Sequence, residues 1–383
     1  MLYRKMGKRG TEVSALGLGC MRLPVIDGDE GRIDEVRAEA VIRRAIECGV
    51  TYVDTAWPYH RGSSEPFVGK VLASAGLRDA VRLATKLPVW EVRSREDCDR
   101  FLKEQMERLQ TDHIDFYLLH ALNRERWEAL LPLGVLDFLD EALADGRIGQ
   151  AGFSFHDEAP VFREILDSYD WDFCLLQHNY MDVAAQQGLE GLERAAGRGI
   201  GVAVMEPLRG GQLVMKVPAA VKELFEASGR GWCPAEWALR WVWNHGGVSV
   251  VLSGMGSVDE VERNGAIADR APAGNLTAQD LALIDRVRTC YRERIAVNCT
   301  GCGYCMPCPE GVDIPGVLAL YNDLSLYEAP EVSFRQYGQV MNPRKWASNC
   351  VACGLCEAAC PQKLAVIDEL RKAHQALGAP ARS

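Results

Sequence analysis

Positive charge is in short supply in this sequence. Its 43 Lys and Arg against 53 Asp and Glu leave a formal charge of −10, and a surface of that sign repels the phosphates of a nucleic acid. No stretch approaches the roughly 20 consecutive apolar residues that a membrane-crossing helix needs, so neither a nucleic-acid nor a membrane partner is expected. The opening MLYRKMGKRG lacks the apolar stretch of a secretory signal, and the expectation is a soluble, cytoplasmic protein. No internal repeat or low-complexity segment stands out. No G-x-G-x-x-G follows the first predicted strand, which counts against a dinucleotide fold built on that turn.

Cysteine, by contrast, is plentiful at 14 residues, and eight of them fall in two runs. The first is Cys299-x2-Cys302-x2-Cys305-x2-Cys308-Pro309, and the second is Cys350-x2-Cys353-x2-Cys356-x3-Cys360-Pro361. Three thiolates one short turn apart wrap three corners of an iron–sulfur cube, and a fourth cysteine before proline reaches across to the other cluster. Two 4Fe-4S clusters are therefore expected. One would be held by Cys299, Cys302, Cys305 and Cys360, the other by Cys350, Cys353, Cys356 and Cys308. The first run departs from the bacterial ferredoxin spacing, since only Met306 and Pro307 separate its last two cysteines. Structural zinc, which needs only Cys-x2-Cys pairs, and disulfides, which need an oxidising compartment, are the competing readings. Cys20, Cys48, Cys98, Cys174, Cys233 and Cys290 have no paired spacing and read as small apolar groups.

Upstream, short β-branched runs alternate with amphipathic helical stretches, the pattern of parallel strands with crossover helices. Strands are predicted at Ala15 to Gly19, Thr51 to Asp54, Arg82 to Thr85, Ile114 to Leu119, Ile148 to Gly152, Phe173 to Gln177, Gly201 to Met205 and Ser249 to Leu252. Ala38, Val41, Ile42, Ala45 and Ile46 form one face of the first helix. Another opens at Ser94, with Asp97 at capping-box spacing. Eight strands fit a closed (β/α)8 TIM barrel, followed by a C-terminal, mainly helical two-cluster ferredoxin-like domain. Asp54, Tyr59, Lys86 and His120 each stand at or just after the end of a strand, and the barrel gathers strand ends at one rim. A carboxylate, a phenol, an ammonium and an imidazole together there point to proton transfer.

VDTAWPYHRGSSE, LATKLP and DFYLLHAL resemble motifs of the aldo-keto reductase superfamily. With GFSFH, MEPLRGG and NCTGCGYCMPCP, the whole chain resembles its bacterial members that carry a C-terminal 4Fe-4S domain. The resemblance implies a barrel over 1–290 and a ferredoxin-type domain over 291–383. It implies an oxidoreductase that interconverts a small-molecule carbonyl and an alcohol with NAD(H) or NADP(H). Tyr59 would be the general acid, with Lys86 drawing the phenol toward phenolate, Asp54 holding Lys86, and His120 orienting the substrate oxygen. Ser154 and Gln177 would hold the nicotinamide carboxamide, although Phe155 replaces an Asn found in many relatives. Met205, Glu206 and Leu208 would line the ring, and Ser253, Gly254, Met255 and Asn264 the pyrophosphate and adenosine; Cys20 belongs to the same cofactor-binding set. Glu260 stands where NADPH-preferring relatives often have Arg. The clusters would pass electrons to or from an electron-transfer protein. Hydride moves two electrons at once and a cluster moves one, which a flavin would reconcile; no flavin motif supports one. Clusters that are structural or oxygen-sensing, or a barrel that binds nucleotide without turnover, are the alternatives.

Overall fold

The computed structural model describes residues 1–215, 217–326 and 330–378. It begins with an antiparallel hairpin, β1 (Tyr3–Met6) and β2 (Thr11–Ser14), turned by Gly7 and Gly10 at φ 62° and 64°. Sequence reasoning missed this hairpin because YRKM and TEVS are short, charged and half exposed. The predicted strands follow as β3 (Leu16–Gly19), β4 (Tyr52–Asp54), β5 (Arg82–Leu87), β6 (Ile114–Leu122), β7 (Ile148–Phe155), β8 (Phe173–Gln177), β9 (Gly201–Met205) and β10 (Val248–Ser253). They close in the order β10-β3-β4-β5-β6-β7-β8-β9, every neighbouring pair parallel, the (β/α)8 architecture.

The barrel interior is filled by Tyr52, Phe116, Phe173, Leu118, Leu175 and Val250, and the hairpin contributes Met6 and Val13 to the same cluster. Phe116 stands 5.0 Å from the Tyr52 and Phe173 rings, so the barrel is packed solid below its rim. On the outside, helix Glu35–Glu47 buries Ala38, Val41, Ile42 and Ala45 as its spacing requires. Helix Arg95–Leu109 starts with the Ser94–Asp97 capping box, both bonds made. Trp237, Trp241 and Trp243 of helix Pro234–Asn244 are buried packing residues, and the Trp243 indole donates to the Ala15 carbonyl at 2.9 Å.

Packing divides the chain into two compact units, Met1–Leu208 with Ala235–Thr277, and Arg209–Pro234 with Ala278–Ser383. The division does not follow a single cut at residue 290. The segment after β9 belongs with the cysteine module, where the Gln212 amide donates to the Cys299 carbonyl at 2.9 Å and Arg230 pairs with Asp280 through Nε and Nη2. The module is helical, with a core of Val312, Ile314, Val317, Leu318, Val366 and Leu370 on helices Ile314–Leu326 and Val366–Leu377.

The module also contains a repeat that the sequence conceals. Left-handed residues fall at matching offsets from the first cysteine of each run, Gly301 and Gly303 in one, Ala352 and Gly354 in the other. After the fourth cysteine the backbone matches again: Gly311 N–H returns to the Cys308 carbonyl at 2.9 Å and Lys363 N–H to the Cys360 carbonyl at 3.1 Å, both at positive φ, and a helix follows each. One extra residue before Cys360 and the replacement of glycine by Ala352 and Lys363 hide the duplication.

Gly69, in helix Ser64–Ser74, lies against the end of helix Arg95–Leu109. A Cβ there would come within 2.6 Å of the Arg108 and Leu109 backbone. In an open helix Gly→Ala gains about 1 kcal/mol. Here Gly69→Ala is expected to lose about 1–3 kcal/mol by overpacking, read as a lower urea midpoint of the barrel; a raised midpoint contradicts this close approach.

Candidate active site and cluster-binding loops

The barrel brings Asp54, Tyr59, Lys86 and His120 together. Asp54 ends β4 and pairs in register with Gly19 and Ala84; Lys86 lies one strand over on β5, paired with Leu118 of β6. The Lys86 ammonium, 1 % exposed, donates to Asp54 Oδ1 at 2.7 Å, to the Thr55 carbonyl at 2.7 Å and to the Tyr59 phenol oxygen at 3.3 Å. Tyr59 opens a tight turn whose next residues, His60 and Arg61, are both left-handed at φ 52° and 54°. Such backbone persists only where its surroundings hold it. Here the buried His60 ring does so, its Nε2 facing the Leu23 N–H at 3.2 Å and its Nδ1 the Glu30 carbonyl at 2.8 Å. The Tyr59 and His120 rings meet edge to face at 6.1 Å.

Below the site, the fully buried Glu65 carboxylate accepts from Thr85 and Gln105, both at 2.6 Å. Gln105 in turn donates to the Lys86 carbonyl at 3.0 Å and accepts from the Tyr117 hydroxyl at 2.8 Å. This network fixes the strand that carries the lysine.

Burial sets the electrostatics. It pushes the Tyr59 phenol well above its usual range, with Asp54, Cys20 and Glu206 adding to the shift. Burial thus outweighs the expected pull of Lys86 toward phenolate and favours the protonated phenol. Burial also raises the Asp54 carboxyl, against the attraction of Lys86. His120 is driven well below the usual imidazole range by burial, then Lys86, His156 and Arg126; it is neutral, and its buried Nδ1 has no hydrogen-bond partner among the described residues.

The remaining expected positions fall around the same rim. Ser154 Oγ accepts from the Ala121 N–H at 2.6 Å. The Gln177 amide is braced by Asp182 at 3.3 Å and Gln186 at 3.0 Å. Met205 and Leu208 are half-buried and Met255 is buried. Asn264 donates to Ser253 Oγ at 3.3 Å. Cys20 is sealed in the wall, where its N–H donates to the Asp54 carbonyl at 2.8 Å and burial pushes its thiol up. Glu260 folds back to accept from the Gly256 N–H at 2.8 Å, and Ser257 caps the Glu260 N–H at 3.3 Å.

Sequence reasoning passed over other groups that the fold places here. Asn179 donates to the Glu206 carbonyl at 3.1 Å and to Asp182 at 3.0 Å. The Arg22 side chain lies against Gly254. Trp90 packs 5.1 Å from His120, and His156 follows directly on β7. A polar residue just beyond a predicted strand end was the available signal for Asn179 and His156; nothing marked Arg22 or Trp90.

In the second unit the eight cysteines line two cavities. One of about 220 Å³ is bordered by Cys308, Cys350, Cys353 and Cys356, with Cys305 also at its wall. The smaller is bordered by Cys299, Cys302, Cys305 and Cys360. Among the described residues no cysteine is in a disulfide, and no three His, Cys, Asp or Glu side chains converge as ligands of one ion must. The thiols stand around the two spaces. Burial, then Cys302 and Cys299, push the Cys305 thiol up to about 12, and Cys360, remote in sequence, acts on it too. Crowded thiols that raise one another suit a cationic iron–sulfur core, which relieves the repulsion by taking them as thiolates.

Comparison with known proteins bears on both the barrel and the cysteine module. Residues 15–289 match the model of the aldo/keto reductase family, and residues 298–365 match a 4Fe-4S dicluster domain. The chain is 30% identical over 237 residues to the uncharacterized oxidoreductase YrpG of Bacillus subtilis, covering 56% of this chain and 68% of that protein. It is 37% identical over 164 residues to the B. subtilis aldo-keto reductase YhdN, covering 40% and 47%. The holo form of aldo-keto reductase AKR11C1 from Bacillus halodurans superposes with a TM-score of 0.62 at 27% identity, over 75% of this chain and 96% of that one. An aldo-keto reductase from Klebsiella pneumoniae in complex with NADPH gives 0.60 at 25%, over 75% and 96%.

A pH dependence follows from the buried imidazoles. His178, fully buried after β8, has neither ring nitrogen bonded among the described residues, and burial, then His245, push it down to about 3. In the unfolded chain an imidazole titrates near about 6.5, so on acidification the unfolded state takes up protons that the fold refuses. The stability present above that value is lost as pH falls below it, at about 1.4 kcal/mol per pH unit for each such imidazole. Urea unfolding between pH 7 and 4 is expected to show this slope, and His178→Phe to remove one imidazole's share; an identical slope in the variant contradicts the assignment.

Proposed function

This chain belongs to the aldo/keto reductase family, and on that premise we propose that it interconverts a small carbonyl compound and its alcohol at the Asp54–Tyr59–Lys86–His120 site. The observation that carries the reading is the Lys86 ammonium 3.3 Å from the Tyr59 phenol oxygen, in a pocket whose burial raises the phenol above its usual range. A nicotinamide held there would supply hydride to the carbonyl carbon. Tyr59 gives its proton to the carbonyl oxygen, and Lys86 stabilises the phenolate that forms, a charge it meets only at that moment. Asp54 keeps Lys86 aimed. Neutral His120 offers an N–H to the same oxygen and so orients the substrate. In the opposite direction the same groups take the proton from an alcohol.

The residues present fit a nicotinamide nucleotide. Ser154, Gln177 and Asn179 stand at the ends of β7 and β8, and half-buried Met205 would offer an apolar face beside them. Gly254 leaves room for Arg22, whose charge suits a pyrophosphate. The Glu260 carboxylate, held at the start of helix Val258–Ala268, repels a phosphate on the ribose, which favours NADH over NADPH.

Two 4Fe-4S clusters complete the reading. Cys299, Cys302, Cys305 and Cys360 would hold one, and Cys308, Cys350, Cys353 and Cys356 the other; the lining of the two cavities supports this crossed set. The chemistry such clusters supply is one-electron transfer. Cys353, Met306, Val351 and Leu355 at the larger cavity are exposed, which supports exchange with an electron-transfer protein in the cytoplasm.

Tyr59→Phe is expected to lower carbonyl reduction by at least about a hundredfold with iron content unchanged, NADH serving better than NADPH in the parent. Full activity in the variant removes the mechanism. For the clusters, Cys308→Ser is expected to perturb the same electron paramagnetic resonance signal as Cys353→Ser, and Cys360→Ser the same signal as Cys302→Ser. The opposite pairing overturns the crossed assignment. Anaerobic mixing with NADH, followed by cluster absorbance, separates the roles: bleaching during turnover supports electron exchange, and activity without bleaching makes the clusters structural.

A further inference from the structure

The phenol of Tyr59 is held only loosely by its own side-chain contacts. Among the described residues its hydrogen bond comes from Lys86 at 3.3 Å, just beyond the usual range of about 2.7–3.2 Å, whereas the other two bonds of that ammonium are 2.7 Å long. The backbone behind it runs left-handed through His60, Arg61 and Gly62, at φ 52°, 54° and 90°. Glycine takes that conformation freely and the other two residues do not, so the turn persists because its side chains are held from outside. Arg61 pairs with Asp29 at 3.3 Å, but its side chain is 72 % exposed, and such a pair contributes little. His60 is 6 % exposed and carries the restraint.

Both ring nitrogens of His60 reach one loop, residues 20–34 between β3 and helix Glu35–Glu47. The Leu23 N–H, 3.2 Å from Nε2, can only donate, so Nε2 is the unprotonated nitrogen and Nδ1 carries the proton that goes to the Glu30 carbonyl at 2.8 Å. Burial lowers the pKa of the ring against the pull of Glu30, which keeps the accepting nitrogen free. The loop is a firm anchor, closed on itself by Ile26 N–H to the Arg32 carbonyl at 2.9 Å and Asp34 N–H to the Pro24 carbonyl at 2.8 Å, with Val25 and Ile33 bridged antiparallel. Leu23 is buried, and Arg22 before it lies against Gly254.

We propose that His60 is a positioning residue for the reaction: its ring, with the proton on Nδ1, clamps the Tyr59 turn to the 20–34 loop and so sets where the phenol stands relative to the carbonyl oxygen. The proposal rests on Tyr59 as the proton donor and deepens that reading. With both nitrogens committed to the loop, the ring acts through Tyr59 alone. Phe in its place fills the space but leaves the Leu23 N–H and the Glu30 carbonyl without their partner, and the turn loses its hold. Gln restores one donor and one acceptor.

The test uses the full chain purified anaerobically with its clusters, with 4-nitrobenzaldehyde as the carbonyl probe and NADH as the reductant. In His60→Phe, kcat is expected to fall by about a hundredfold, the cost of a misplacement of about 1 Å, with KM for the aldehyde little changed, and His60→Gln is expected to recover most of the loss. With carbon-13 at the tyrosine ζ position, the Tyr59 resonance is expected to move in His60→Phe and to return toward its parent position in His60→Gln, while the other tyrosines stay in place. An unchanged kcat with an unmoved Tyr59 signal in His60→Phe overturns the proposal. So does a loss that Gln does not recover and that all the tyrosine signals share, which makes His60 merely structural. Nitrogen-15 shifts of the His60 ring in the parent need no variant: a proton on Nδ1 is expected, and a proton on Nε2 overturns the clamp. A Tyr59 signal that follows His60 in a protein that does not reduce the aldehyde upholds the clamp and removes the proton-donor reading instead.

Discussion

The buried ion pair of Lys86 and Asp54 is the constraint on which the active site depends. Taking both charges out of water costs several kcal/mol per ion, and the mutual attraction repays this only when the remaining donors and lone pairs are satisfied. Lys86 has three N–H groups and three acceptors around them: Asp54, the Thr55 carbonyl and the Tyr59 phenol. The third is the group proposed as proton donor. Full satisfaction of the ammonium and correct placement of the proton donor are therefore one geometric condition. The barrel meets it by pairing β4 with β5 in register and by anchoring the Lys86 carbonyl through Gln105 to the buried Glu65.

Burial around that pair then decides protonation states. The same low-dielectric surroundings that would strand an unpaired charge keep the phenol protonated and the imidazole neutral. On the proposed reading, an acid that holds its proton until the carbonyl oxygen gathers charge, beside a fixed cation, is preorganised for the transition state and not for the ground state. In the cysteine module, crowding of thiols is costly until a cationic core takes them as thiolates. Both units thus place like or poorly solvated groups together at positions where a ligand relieves the cost.

Much of this was legible in the sequence, for identifiable reasons. The barrel strands are apolar, β-branched runs at regular spacing, so their existence could be read and their ends located closely enough to bring Asp54, Lys86 and His120 to one rim. The cysteine spacing carried its own geometry, and Cys360 lines the same cavity as Cys299, Cys302 and Cys305. The hairpin was missed because charged, half-exposed strands lack a hydrophobic period. The backbone repeat was hidden by one inserted residue and by Ala352 and Lys363 in left-handed positions normally given to glycine. Trp90 lies in a connecting segment, where side-chain direction depends on tertiary contacts and no local pattern announces it. The neighbouring cation of Tyr59 is visible in a motif, whereas the burial that raises the phenol is a property of the folded chain.

The central claim is that Tyr59 is a phenol held protonated by burial beside the Lys86–Asp54 pair. Its most direct test is a titration of the protein labelled with carbon-13 at the tyrosine ζ position, followed by nuclear magnetic resonance, with Tyr59 identified by the signal missing in Tyr59→Phe. The account predicts that this resonance stays at its phenol position beyond the range near about pH 10 where a solvated tyrosine ionises. A Tyr59 signal that moves to the phenolate position below that range contradicts it.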